Sequence, residues 1–127
     1  MEAKKHLTDL HNEHMEWIKS LQFYKDEIQL MTNRLQELVT TNSKTEILAQ
    51  IEHFQNQFIR QSEVIDELKH DINQSENTIV EAVQSNPVAV NRQSAPDHIV
   101  LRDRFETFEK LFKEMKEEFN KFASKTY

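Results

Sequence analysis

From Leu7 onward, apolar residues recur at alternating spacings of three and four along most of the chain. The first run is Leu7, Leu10, His14, Trp17, Leu21, Tyr24, Ile28, Met31, Leu35 and Leu38. The second is Ile47, Ile51, Phe54, Phe58, Gln61, Ile65, Leu68, Ile72, Ser75, Ile79 and Ala82, and the third Leu101, Phe105, Phe108, Phe112, Met115, Phe119 and Phe122. Each run lays an a/d seam along one helical face. Its period of 3.5 residues falls short of the 3.6 of a straight helix, so seams this long wind their helices around one another left-handed.

The places where the seams stop set the topology. The chain contains no glycine, where about nine would be usual for its 127 residues. That removes the preferred residue for left-handed helix caps and tight hairpin turns, and so favours few reversals and long helices. Thr40-Thr41-Asn42-Ser43 forms the first break, with Ser43 and Glu46 spaced as a capping box for the second helix. The second break, from Ser85 to Pro96, holds both prolines, Pro87 and Pro96, and Ser94 with Asp97 is spaced to cap a third helix. The reading is one all-α domain over 1–127, an antiparallel up-down-up three-helix bundle with a long hairpin of its first two helices. Helix 1 is expected over about 2–40, helix 2 over about 44–85, a surface loop over 86–96, and helix 3 over about 97–125.

Pairing the seams through these breaks writes out the core layers. Leu7 faces Ile79 and Leu101; His14 faces Ile72 and Phe108; Trp17 faces Leu68 and Phe112; Tyr24 faces Gln61 and Phe119. Tyr24 and Gln61 are thereby expected to satisfy each other, and His14 lies a turn from Ser75. Helix 3 ends level with about residue 31, leaving Leu35, Leu38, Ile47 and Ile51 as a tip covered by two helices only. Phe23 and Leu30, seven apart on an outward position of helix 1, add a second apolar surface.

Chemistry finds few footholds. Without glycine the phosphate-cradling loops and nucleophile elbows are disfavoured, and without cysteine there are no disulfides or thiolate metal sites. A net charge of −6 opposes nucleic-acid backbones and anionic membranes. Alternating charges outside the phenylalanine seam of helix 3 read as a solvated, ion-paired face. No segment reaches transmembrane length or forms a secretory leader, so no membrane insertion is expected and a reducing cytoplasm is the expected location. Glu67-Leu68-Lys69-His70 has the Glu-x-x-His spacing of di-metal bundles, but Glu67 and His70 fall on outward positions. His14 and His98 take seam positions, with no carboxylate in either layer of this alignment. His11 is expected to pair with acidic residues across the interface, and Glu13 and Glu16 to be solvated. No catalytic residue, cofactor or metal ligand is assigned.

Three heptad helices with Trp17-Ile18 midway along the first resemble a spectrin-type repeat in architecture, a likeness that carries no function with it. The functional expectation is a non-enzymatic interaction or scaffold module, a homodimer or the binder of a protein partner, with Phe23, Leu30, Leu35, Leu38, Ile47 and Ile51 as contact residues. The alternative is a metal-binding or redox bundle using His11, His14 and nearby carboxylates.

Overall fold

The computed structural model describes the backbone of residues 2–85 and 87–126, and the side chains of residues 6–82, 84–85 and 97–126. It contains three helices, α1 (Glu2–Thr41), α2 (Thr45–Ser85) and α3 (Pro87–Lys125), of 40, 41 and 39 residues. At about 1.5 Å per residue each is roughly 60 Å long, so the molecule is a rod of three nearly equal helices. As numbering rises along α1 from His11 through Gln22 to Lys25, its partners on α2 fall from Glu76 through Lys69 to Asp66. The seams face inward throughout: Leu21, Ile65, Leu68 and Ile72 are almost wholly buried. Each such side chain contributes roughly 1.5–3 kcal/mol by leaving water.

The first turn is closed without a left-handed residue, since no described residue has positive φ. Side chains take over the work that glycine usually does at a helix end. The Asn42 amide donates to the Leu38 carbonyl at 2.9 Å, and the Thr40 hydroxyl donates to the Glu37 carbonyl at 2.7 Å. These satisfy carbonyls that the last turn of a helix leaves without partners. Ser43 is not the capping residue of α2. That helix starts at Thr45, the Lys44 carbonyl accepts its first bond from Leu48, and among the described residues neither Ser43 nor Glu46 makes a capping bond.

Of the expected loop over 86–96, residues 87–96 are helix instead, and residue 86 lies outside the described residues. α2 ends at Ser85, whose hydroxyl bonds back to the Glu81 carbonyl at 3.1 Å, and α3 begins at Pro87. Proline is suited to the first helical position: its φ is already helical and its missing N–H would have had no partner there. Pro87 therefore starts a helix where it was read as part of a break, and Pro96 is carried inside α3. The Ser94 cap falls within that helix, and its side chain lies outside the described residues.

With α3 starting at Pro87 and not near Asp97, α3 is shifted along α1 by one heptad relative to the expected layers. Trp17 stacks on Phe105, not Phe112, with ring centroids 5.7 Å apart, and Tyr24 packs on Phe112, not Phe119, at 4.6 Å. Leu7 and Ile79 do share a cluster, as the first hairpin predicts. The seven-residue shift brings the end of α3 from the level of residue 31 to that of Leu38. The tip is consequently covered: Leu35, Leu38 and Ile51 are buried, Ile47 is half-buried, and Phe54 packs against Phe119 and Phe122 with centroids 5.5 and 5.2 Å away. Among the described residues no helix is long and apolar enough to cross a membrane.

Candidate functional site

The heptad shift assembles a polar layer that the expected register lacked. His14 on α1 and His98 on α3 both occupy seam positions, and their rings meet with His98 Nδ1 3.2 Å from His14 Nε2. Glu76 sits beside the α2 seam, one residue past Ser75, and turns its carboxylate toward α1. Its Oε2 is 2.8 Å from His14 Nδ1, while its Oε1 accepts from His11 Nδ1. At the other end of the chain of contacts, His98 Nε2 lies 2.5 Å from Glu13 Oε1. Arg102, one turn along α3, clamps Glu13 by donating from Nη2 at 2.8 Å and from Nε at 3.2 Å.

The layer therefore runs from His11 through Glu76, His14, His98 and Glu13 to Arg102, and it ties all three helices together. His14 is completely buried and His98 and Glu76 nearly so, while His11 and Arg102 reach solvent. Trp17 roofs the layer on the side of the main core: it stacks on His98 with centroids 4.9 Å apart and tilts against His14 at 5.6 Å. On the far side, among the described residues, lies a small separate cluster of Leu7, Leu10 and Ile79, so the polar layer divides the described core in two.

Burial holds the His98 imidazole below its ordinary pKa, against the opposing hydrogen bond and charge of Glu13, and the neighbouring charges of His14 and Arg102 add to the lowering. For Glu13, burial works against the charged form, but the bonds to Arg102 and His98 and their charges outweigh it and leave the carboxyl below the usual range. The hydrogen bonds and charge of Glu13 in turn hold Arg102 above its ordinary value.

The histidines are thus placed differently from the sequence reading in two respects. His11 does pair across the interface, with Glu76. Glu13 is not a solvated residue, and each seam histidine has a carboxylate partner. Glu76 escaped notice because it lies off the seam, and its inward role appears only once α1 and α2 are in register. Glu16, His53, Glu67 and His70 are exposed. Among the described residues no group of three or more histidine, aspartate or glutamate side chains is arranged to hold a metal ion. Both ring nitrogens of His14 are already engaged.

The expected Tyr24–Gln61 pair does not form. The Tyr24 hydroxyl donates to Glu109 Oε2 at 2.5 Å, and burial together with the Glu109 bond and the charges of Glu109 and Glu27 pushes its pKa up to about 12. Gln61 Oε1 is buried without a hydrogen-bond partner in the floor of a groove of about 340 Å³ between α2 and α3, beside Leu68, Phe108 and Leu111.

Of the six expected contact residues, the structure separates four from two. Leu35, Leu38 and Ile51 are core and Ile47 is half-buried against it, so the tip supplies no open apolar surface. The buried three cannot be partner anchors in this fold, because α3 already covers them. Phe23 and Leu30 remain 60% and 68% exposed on the outer face of α1. Phe23 touches Tyr24 edge-on with centroids 6.1 Å apart, while the helix meets its core requirement through the seam. A groove of about 460 Å³ runs alongside between α1 and α3, with Tyr24 and Phe112 in its walls and Lys110, Lys113 and Lys116 at its rim. No protein-family model, curated protein or solved structure matches the chain.

Proposed function

We propose that this protein is a non-enzymatic helical interaction module of the cytoplasm, which uses the outer face of α1 to pack against a second copy of itself or a partner helix. One observation carries the reading: Phe23 and Leu30, one heptad apart, stay mostly exposed although the bundle has closed its core without them. Two large apolar groups aligned on one helix make a contact strip of the kind an amphipathic helix covers. The tip has no part in this version, since its leucines and Ile51 serve the fold. The polar layer supports a structural role for the histidines over a redox or metal role, because His14 spends both ring nitrogens on Glu76 and His98.

Light scattering behind a sizing column, across a concentration series, tests it. Wild-type protein is expected to rise in mass with concentration, and the Phe23→Glu/Leu30→Glu double variant to remain monomeric with unchanged helicity. An identical concentration dependence in the two proteins would remove this face as the contact. A wild type monomeric throughout would exclude self-association and leave the partner-helix version, which the same variant tests by loss of binding.

A further inference from the structure

The hydrogen count of the polar layer has a definite answer. Carboxylates accept and cannot donate, so the contacts Glu76–His14, His14–His98 and His98–Glu13 each need one hydrogen from an imidazole. Two neutral imidazoles carry two N–H groups between them; three contacts need three. The pair therefore holds one proton beyond neutrality. With Nδ1–H of His14 donating to Glu76 and Nε2–H of His98 donating to Glu13, the third hydrogen lies between His14 Nε2 and His98 Nδ1, donated by one ring and accepted by the other. The ring pair and Arg102 then stand against Glu76 and Glu13, two positive charges against two negative.

From this geometry we infer that the His14–His98 pair is an acid-sensitive latch, closed with one shared proton and opened by a second, which releases α3 from the α1–α2 hairpin at this end of the rod. A second proton must enter between the rings, at whichever of His14 Nε2 and His98 Nδ1 is still accepting. The 3.2 Å contact then sets N–H against N–H between two cations whose ring centroids are 5.0 Å apart. Among the described residues, the charged and titratable groups that face the pair are Glu13 and, through Glu76, His11 on α1; Glu76 on α2; and Arg102 on α3. Glu76 and Glu13 each already compensate one cation, so among these residues the added charge has no free counterion. Beyond the latch, Leu7, Leu10 and Ile79 form the described apolar cluster at that end, so its opening unties the end and not the whole bundle.

The sign follows from the burial of His98. Its folded pKa lies below its unfolded one, so its stabilising effect is complete above the unfolded value of about 6.5 and is lost as pH falls through the folded value. Each unit of separation corresponds to a tenfold shift in the opening equilibrium.

Trp17 is the chain's single tryptophan and is stacked on His98, which makes it a reporter of the latch. Wild-type Trp17 emission followed from about pH 7.5 to 5 is expected to show a transition below the ordinary histidine value. His98→Gln, which keeps a donor and an acceptor but does not titrate, should flatten it. Ring ¹⁵N spectra of the wild type test the hydrogen count without any variant: at about pH 7.5 hydrogens should be found on His14 Nδ1, on His98 Nε2 and on one of the two facing nitrogens. Fewer than three ring hydrogens on the pair, a His98 that titrates at or above the ordinary value, or a Trp17 transition unchanged in His98→Gln would each overturn the latch.

Discussion

At the end where α1 turns into α2, Leu35, Leu38 and Ile51 pack with Phe54, Phe119 and Phe122 in an aromatic and aliphatic cluster. Toward the other end the same seams pass through His14, Glu76 and His98 before closing on Leu7, Leu10 and Ile79. The difference bears on register. On α3, Phe105, Phe112 and Phe119 are spaced by seven, so sliding the helix one heptad along its neighbours replaces phenylalanine with phenylalanine. The apolar end is nearly indifferent to that slip. The polar layer is not, because only one alignment brings His98 to His14 and Arg102 to Glu13. Apolar seams supply most of the energy, and the polar layer selects among alignments of similar apolar burial.

Three variants break or sharpen this contrast. Phe54→Ala at the apolar end should cost the most, about 4 kcal/mol, since it removes a large buried side chain and leaves a cavity. Urea unfolding monitored by circular dichroism reads it, and a loss under 1 kcal/mol would mean the aromatic cluster is not the anchor described here. Glu76→Ala should cost about 3 kcal/mol, because it strips His11 and His14 of their carboxylate and leaves a buried imidazole contact uncompensated. A neutral effect in the same assay would show that the layer is not maintained in solution. Replacing His14, Glu76 and His98 together by Leu should act in the opposite direction and raise stability by about 2 kcal/mol, while loosening the alignment of α3. Distances between spin labels on α1 and α3 would then broaden or split by one heptad's rise, about 10 Å. A single sharp distance equal to that of the wild type would assign register to the turns and not to the polar layer.

Much of this was legible in the residues. Spacings of three and four named the core-facing positions from Leu7 to Phe122 before any coordinates, because a seam points inward whichever neighbour it meets; most of them are buried, and Tyr24, Ile47, Gln61, Ser75 and Phe122 are half-buried. His14 and His98 were legible as seam residues for the same reason, and Phe23 and Leu30 as outward ones. The partners were not. Trp17 with Phe112 and Tyr24 with Phe119 came from treating both prolines as breakers, and Pro87 instead opens α3. That one reading of proline displaced every α1–α3 layer by seven residues, left the tip bare, and hid the meeting of His98 with His14. Glu76 was illegible for a further reason: its burial depends on two histidines of another helix and on no pattern in its own.

Helix content, seam membership and the absence of left-handed caps were determined by the sequence alone, because they follow from local spacing and from which side chains can occupy a given backbone conformation. Which residues face one another, which surface stays open and which polar groups meet in the buried layer were decided only by the tertiary structure. Heptad patterns repeat, so several axial alignments bury almost the same apolar area. Choosing among them rests on a few polar contacts that exist only when three distant segments arrive together.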